Sequence, residues 1–233
     1  MKVQRLRVTF RRGEELKYIT HLDLMRTWER MLRRAGLPLA YSEGFTPHPQ
    51  ISFAAALPVG VIGEREVVDL FLSERVSPEA FLNAAAKEAP PGLELLSAEE
   101  VGLSLPSLQS EMRWAEYEVE APADGWTPDR AREAIERFLA AESIPWEHQR
   151  EKETKRYDIR AVVQDLRLLD SPPGRIRLWM RLRHDQEVAG RAEQVAAALG
   201  LPEPERIVRT RLILAETSPA RERWRRTGQY VES

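Results

Sequence analysis

The pattern of hydrophobic and polar positions at the start of the chain predicts a β-strand followed by a helix. Apolar residues alternate with polar ones over residues 3–10, with one break at Arg5, which is close to the period of a strand with one buried face. Over residues 24–35 they recur at helical spacing and form one apolar stripe. Thr20, with Asp23 three residues later, is typical of a helix start. We therefore expect a helix that begins at Thr20.

The rest of the chain predicts two copies of one β-α-β-β-α-β arrangement. In the first half, strands are predicted at 3–10, 39–41, 51–57, 67–72 and 93–96, and the second helix at 78–89. In the second half, strands are predicted at 113–121, 144–150, 156–163, 175–183 and 207–215, and helices at 128–141 and 189–199. This order is typical of the ferredoxin-like fold. The predicted class is α+β, with two tandem ferredoxin-like domains and antiparallel sheets.

The domain boundaries follow from these elements. We predict an N-terminal domain at 1–103, a linker at 104–112 and a C-terminal domain at 113–216. The last segment, 217–233, is basic and has little to bury, so it is expected to be flexible or to dock on a partner.

Composition limits the chemistry that this chain can perform. Its 233 residues include no cysteine, which excludes disulfides, a cysteine nucleophile, thiolate zinc sites and a cysteine-ligated iron–sulfur cluster. The four histidines show no spacing typical of a metal site. No apolar run approaches the roughly 20 residues that span a bilayer, and no apolar signal core follows Met1. We expect a cytoplasmic protein without a membrane partner.

Charge is distributed unevenly although the net charge is only −2. Residues 1–60 have 10 Lys and Arg against 5 Asp and Glu, whereas residues 61–112 have 3 against 10. A basic first segment attracts phosphates, but the near-zero total makes any such patch local. Within this segment Arg26, Arg30 and Arg33, together with Arg34, lie opposite the apolar stripe of the helix. They predict a phosphate-binding face or, alternatively, a solvated face partly paired with Glu29.

The segment 41–53 contains two prolines that fix the backbone and hold its polar side chains in set directions. The candidate binding residues here are Ser42, Gly44, Phe45, His48 and Ser52. A nucleobase can stack on Phe45 while His48 and Ser42 contact the sugar-phosphate. The alternative is a rigid hairpin whose aromatic residues enter the core.

Two further groups of residues are candidates. His21 would lie in the first helical turn, where the positive helix end favours neutral imidazole. His21 and His48 are therefore candidate general bases, or His21 packs structurally. In the second half Lys155, Asp158 and Arg160 are candidate substrate-binding residues, unless Asp158 and Arg160 form a structural pair. Arg175, Arg177, Arg181 and Arg183 either add a basic sheet face or form the ordinary solvated side of a half-covered sheet, and we expect the solvated side.

Several of these motifs resemble one known family. The residues are KYITHLDLMR at 17–26, RRAGLP at 33–38, YSEGFTPHP at 41–49, ISF at 51–53, Lys155-x-x-Asp158-Ile159-Arg160 and Arg209-Thr210. They resemble the radical SAM-linked protein family, also known as the DUF2344 domain. The resemblance implies a radical SAM protein as partner, and RNA as a possible substrate. S-adenosylmethionine and an iron–sulfur cluster are then expected only on the partner.

Three functions remain open from the sequence. The first is an accessory protein that binds RNA or another phosphate-bearing substrate for a radical SAM enzyme. The second is a metal-independent endoribonuclease or RNA-modifying enzyme that uses His21 or His48. The third is a protein-interaction module that uses the acidic segment 61–112 and the basic tail. Whether the chain is catalytic by itself is not decided by its sequence.

Overall fold

The computed structural model describes residues 1–150 and 153–215, which form two compact units. The first unit consists of residues 1–112 together with Leu214 and Ala215, and the second of residues 113–213. The basic tail predicted at 217–233 lies outside the described residues. None of the described helices is long and apolar enough to cross a membrane.

The first unit has the predicted β-α-β-β-α-β order. Its elements are β1 (Gln4–Arg12), α1 (His21–Arg34), β2 (Ile51–Phe53), β3 (Ile62–Leu72), α2 (Pro78–Glu88), β4 (Leu93–Val101) and the short α3 (Leu108–Glu111). The strands lie in the order β4-β1-β3-β2, and each neighbouring pair is antiparallel. The mixed α+β class with a mainly antiparallel sheet is therefore confirmed.

Three segments of the first unit differ from the prediction. Residues 39–41 form only isolated bridges, Leu39 with Leu72 and Tyr41 with Pro49, and Pro49 has no N–H with which to extend a ladder. β2 ends at Phe53, well short of residue 57. The segment 104–112, predicted as a linker, instead contains α3 and buried apolar side chains.

The core of the first unit lies between its sheet and its two longer helices. Leu6, Val8 and Phe10 of β1 are buried there with Trp28 of α1. The Phe10 and Trp28 rings meet edge to face, with centroids 5.0 Å apart, a favoured aromatic geometry. The apolar face of β1 and the apolar stripe of α1, which the sequence predicts from their periods, thus pack against each other.

The other side of β1 carries charges that are also buried. Arg5 and Arg7 are 3% and 4% exposed, and Asp69 of β3 is 0% exposed. Nε of Arg5 and Nε of Arg7 each lie 2.9 Å from an Asp69 carboxylate oxygen. Arg7 also pairs with Glu111, and Arg5 donates to the carbonyl of Leu105 at 2.7 Å. The segment after β4 is therefore tied to the sheet by charge-assisted hydrogen bonds.

The second unit contains the remaining strands and helices. They are β5 (Met112–Pro122), α4 (Pro128–Ala140), β6 (Pro145–Arg150), β7 (Glu153–Asp158), β8 (Val163–Leu168), β9 (Arg175–Arg183), α5 (Ala192–Leu199) and β10 (Arg206–Leu214). The strand order within its sheet is β10-β5-β9-β8, while β6 and β7 form a separate hairpin.

The predicted middle strands of the second half were wrong in one respect. The segments 144–150 and 156–163 do pair in part, as β6 and β7, but outside the main sheet. Within the main sheet, β9 instead pairs with β8, and the sequence predicts no separate strand there. Val163 and Leu166 are its buried residues, and the register shifts between Val163 and Asp165. That irregularity breaks the two-residue period from which a strand is predicted.

Candidate functional site

The start of α1 is fixed by a capping interaction. The Thr20 hydroxyl accepts a hydrogen bond from the Asp23 backbone N–H at 3.2 Å and donates to the Asp23 carboxylate at 2.7 Å. This hydroxyl contact is the main cause that lowers the pKa of Asp23. His21, the first residue of the helix, sets its ring edge to face with Phe53 at 5.3 Å. The predicted helix start is confirmed, and it holds His21 against the core.

The four arginines of α1 are all exposed. Three have a carboxylate partner: Arg26 with Asp23 at 3.5 Å, Arg33 with Glu29 at 2.8 Å, and Arg34 with Glu88 at 2.8 Å. These pairs make the face less electropositive than its sequence implies. Since exposed pairs each contribute only about 0–1 kcal/mol, a phosphate can replace the carboxylates.

Three of these arginines converge on one concave surface. Arg30, Arg33 and Arg34 line a cavity of about 440 Å³, which we call the arginine depression. Its apolar lining includes Leu16 and Ile19, which precede α1. Cationic groups around an apolar floor suit a ligand that combines phosphate with a flat ring.

The proline loop, residues 41–49, is closed at its base by two hydrogen bonds. The Ser42 N–H donates to the His48 carbonyl at 2.9 Å, and the His48 N–H donates to Ser42 Oγ at 3.0 Å. Gly44 has φ +127°, a conformation that L side chains rarely adopt. At the tip Phe45 is fully exposed, and His48 is also exposed. The loop therefore presents both rings to solvent and keeps neither in the core.

Arg33 of α1 contacts Tyr41, the first residue of the proline loop. Nε of Arg33 lies 3.2 Å from the Tyr41 hydroxyl, and the guanidinium carbon lies 5.8 Å from the centre of the Tyr41 ring. The second phenylalanine of the segment, Phe53, is buried beside Trp28. Ser52 lies within hydrogen-bond distance of the Gln109 amide, at 3.1 Å from its nitrogen. Phe45 and Tyr41 thus face outward, whereas Ser52 and Phe53 anchor the end of segment 41–53 to the rest of the unit.

The candidate binding residues of the second half, Lys155, Asp158 and Arg160, belong to the second unit, whereas α1 and the proline loop belong to the first. Asp158 accepts hydrogen bonds from the N–H groups of Ile144 and Arg160, both at 2.9 Å, and the Ile144 contact is the main cause that lowers its pKa. The Arg160 guanidinium donates to the Leu139 and Val163 carbonyls. These two side chains hold the base of the β6–β7 hairpin, while Lys155 is exposed on it.

The arginines of β9 are paired with carboxylates on neighbouring residues. Arg177 contacts Glu118 at 3.1 Å, and Arg181 contacts Glu116 at 2.7 Å across the β5–β9 pair. Cross-strand pairs of opposite charge stabilise a sheet. This geometry favours the ordinary solvated sheet side that the sequence predicts.

Comparison with known families now places the chain. A family profile described as "Uncharacterized protein conserved in bacteria (DUF2344)" matches residues 5–192. The chain belongs to the DUF2344 family. The matched range includes α1, the proline loop and the β6–β7 hairpin. No curated protein matches this DUF2344 chain.

Solved structures offer only distant similarity to this DUF2344 chain. A Cbf5–Nop10–Gar1 complex is 10% identical, with a TM-score of 0.47 over 91% of this chain and 49% of that one. An H/ACA RNP bound to a substrate RNA is 10% identical, with a TM-score of 0.46 over 89% and 47%. An unknown protein from Galdieria sulphuraria is 14% identical, with a TM-score of 0.26 over 91% and 98%. The chain spans about half the length of the first two structures, and likeness at this level identifies no function.

Sequence reasoning missed several polar residues that the DUF2344 fold brings together. Beside Lys155 and Asp158, one cavity of the second unit is lined by Tyr157, Arg191 and Gln194. They come from β7 and from the start of α5, and no motif connects them. Only Lys155 and Asp158 carried a signal, as part of the basic segment before Arg160.

Proposed function

We propose that this protein is a cytoplasmic accessory protein that binds RNA, or another phosphate-bearing substrate, and presents it to a separate radical SAM enzyme. The resemblance of its motifs to the radical SAM-linked family supports the partnership. Radical SAM chemistry needs a cysteine-ligated cluster, and this chain has no cysteine. The cluster and S-adenosylmethionine therefore belong to the partner, and this chain contributes binding and orientation.

One observation carries the binding part of the proposal. Arg33 lines the arginine depression and also contacts Tyr41 at the base of the proline loop. Phosphates bind to Arg30, Arg33 and Arg34, while the exposed Phe45 ring stacks on a base. Single-strand binding generally combines such a cationic groove with aromatic stacking, worth about 1–3 kcal/mol per base.

We further propose that each unit is ferredoxin-like, with the β6–β7 hairpin inserted in the second. The strand orders β4-β1-β3-β2 and β10-β5-β9-β8 support this reading. In the first unit, Arg5 and Arg7 on the sheet side opposite the helices are buried and bonded to the segment that carries Leu105 and Glu111. RNA contacts are therefore expected at α1 and the proline loop, and not on the open sheet that RNA-recognition motifs use.

Fluorescence anisotropy with a labelled 20-nucleotide single-stranded RNA of mixed sequence tests the binding. Phe45→Ala should weaken affinity by about 5- to 150-fold. Arg30→Ala with Arg34→Ala should weaken it and lower the salt slope by roughly 1.4, since each lost phosphate contact contributes about 0.7. Arg132→Ala, an exposed arginine paired with Asp129 in the second unit, is the matched control. An RNA affinity that does not depend on salt concentration and is unchanged in Phe45→Ala contradicts the proposal.

Affinity purification from the host tests the partnership. A radical SAM protein should be recovered with the full chain, and crosslinking should place RNA on the first unit. Recovery of RNA without any radical SAM protein would remove the partner from the proposal while leaving the binding function.

A further inference from the structure

A second concave site lies entirely within the second unit. Its volume is about 650 Å³, within the usual range of small-molecule sites. It lies between the β6–β7 hairpin and the residues that connect β9 to α5. Its principal lining residues are Lys155, Tyr157, Val162, Val188, Arg191 and Gln194.

One part of this cavity combines an apolar wall with fixed polar groups. Val162 and Val188 supply the apolar surface. The Tyr157 hydroxyl and the Gln194 side-chain oxygen form a hydrogen bond, although Gln194 is only 6% exposed. Burial raises the pKa of Tyr157, so its hydroxyl remains a neutral donor. With its oxygen engaged by Tyr157, Gln194 has its amide nitrogen as the group available to an acceptor on a ligand.

The charges around the cavity favour an anion. Its two lining carboxylates are already engaged: Asp158 by the backbone N–H groups of Ile144 and Arg160, and Glu187 by Arg183 at 3.0 Å. Of the four lysine and arginine residues that line the cavity, Arg156 pairs with Glu147, and Arg183 pairs with Asp185 and Glu187. Lys155 and Arg191 therefore supply the positive charge that is available to a ligand. Among the described residues, the carboxylate in contact with Arg191 is that of Glu193, at 3.4 Å and exposed, and a phosphate can displace it at little cost.

We propose that this cavity binds a nucleoside monophosphate. Lys155 and Arg191 bind the phosphate, the base lies against Val162 and Val188, and Gln194 donates a hydrogen bond to it. The planar base matches the apolar wall of the cavity, and the dianionic phosphate matches the two basic side chains. The site does not depend on the RNA surface of the first unit, so either assignment stands without the other.

Isothermal titration with the full chain compares the four nucleoside monophosphates with the corresponding nucleosides and with inorganic phosphate. At least one monophosphate should bind tenfold or more tightly than its nucleoside and than phosphate alone. Lys155→Ala with Arg191→Ala should remove that advantage, whereas Arg132→Ala should not change it. Ala161→Phe should reduce binding by filling the cavity without changing its charge. Far-UV circular dichroism and thermal unfolding verify that each variant is folded.

Several results would overturn the assignment. They are no binding of any monophosphate at millimolar concentration, equal binding of nucleotide and nucleoside, and full affinity in the Lys155/Arg191 variant or in folded Ala161→Phe. Backbone amide shifts on titration should be centred on Tyr157, Val188 and Gln194. Phe45→Ala separates the two sites, because it should weaken RNA binding and leave monophosphate binding intact.

Discussion

The guanidinium of Arg12, which has no exposed surface, donates to the carbonyl oxygen of Lys17 at 2.7 Å. Arg12 also donates to the Leu16 carbonyl at 3.0 Å and to the Ile19 carbonyl at 3.2 Å. One side chain thus satisfies an irregular stretch of backbone immediately before α1. Since buried carbonyls need donors, Arg12 fixes the direction from which the chain enters α1 and reaches His21.

Replacing Arg12 should therefore destabilise the protein. Arg12→Met keeps the length of the side chain but removes the donors of four carbonyls, the fourth being that of Leu57 at 3.5 Å, so we expect a loss of about 3 kcal/mol in the free energy of unfolding. Urea unfolding measures it. The neighbouring Arg11→Met is the matched control, because Arg11 is half-exposed and its nearest carboxylate oxygen, on Glu94, is 3.9 Å away. Equal losses in both variants would contradict the anchoring role.

Asp69 should be essential for the buried charges of the first sheet. Asp69→Asn preserves shape but leaves Arg5 and Arg7 without their shared anion. Removing one partner from a buried ion pair costs about 3–5 kcal/mol, and urea unfolding should show a loss of that order. The control is Asp170→Asn, an exposed residue, for which we expect a change within about 0.5 kcal/mol. A small effect at Asp69 would mean that Glu111 alone balances the arginines.

Stability should depend on pH through His184. Burial, followed by the nearby charge of Arg209, lowers the pKa of His184 from 6.5 to about 4, with Arg191 acting in the same direction and Asp185 against it. The unfolded chain then binds more protons than the folded one between pH 4 and 6.5. The free energy of unfolding should fall as the pH drops through this window, by at most about 3 kcal/mol from this residue.

Unfolding of His184→Gln measured from pH 4 to 7 checks this contribution. The variant should lose most of the slope, whereas His48→Gln, on the exposed proline loop, should keep it. An unchanged slope in His184→Gln would show that other groups are responsible.

The conformation of the proline loop should depend on Ser42 and Gly44. Ser42→Ala removes the acceptor of the His48 N–H, and Gly44→Ala strains a backbone at φ +127° although nothing lies within 4 Å of the added carbon. We expect each to cost about 1 kcal/mol or less in the free energy of unfolding, since the loop is exposed. Limited proteolysis should nevertheless cut the loop faster and RNA affinity should fall. Unchanged affinity in both variants would mean that loop geometry does not contribute to binding.

The sequence by itself determined the periodic elements of this protein. The two-residue period of β1, the apolar stripe of α1 and its Thr20 cap are local patterns, and the structure confirms them. The antiparallel α+β class followed from their order. The separate β6–β7 hairpin and the strand β8 did not follow from the sequence, because β8 contains a register shift that conceals its two-residue period.

Tertiary structure alone decided where the polar residues lie. Arg5, Arg7 and Arg12 look like surface residues in the sequence. Arg5 and Arg7 are buried because Asp69, Glu111 and the Leu105 carbonyl, all distant along the chain, pair with them. Arg12 is buried because it turns onto backbone carbonyls of residues 16–19. Tertiary structure likewise paired Arg34 of α1 with Glu88 of α2 and placed Lys155 and Arg191 on one cavity. Local spacing encodes periodicity, whereas the partner of a charge is set by long-range packing, and that partner decides whether the charge binds a ligand or supports the fold.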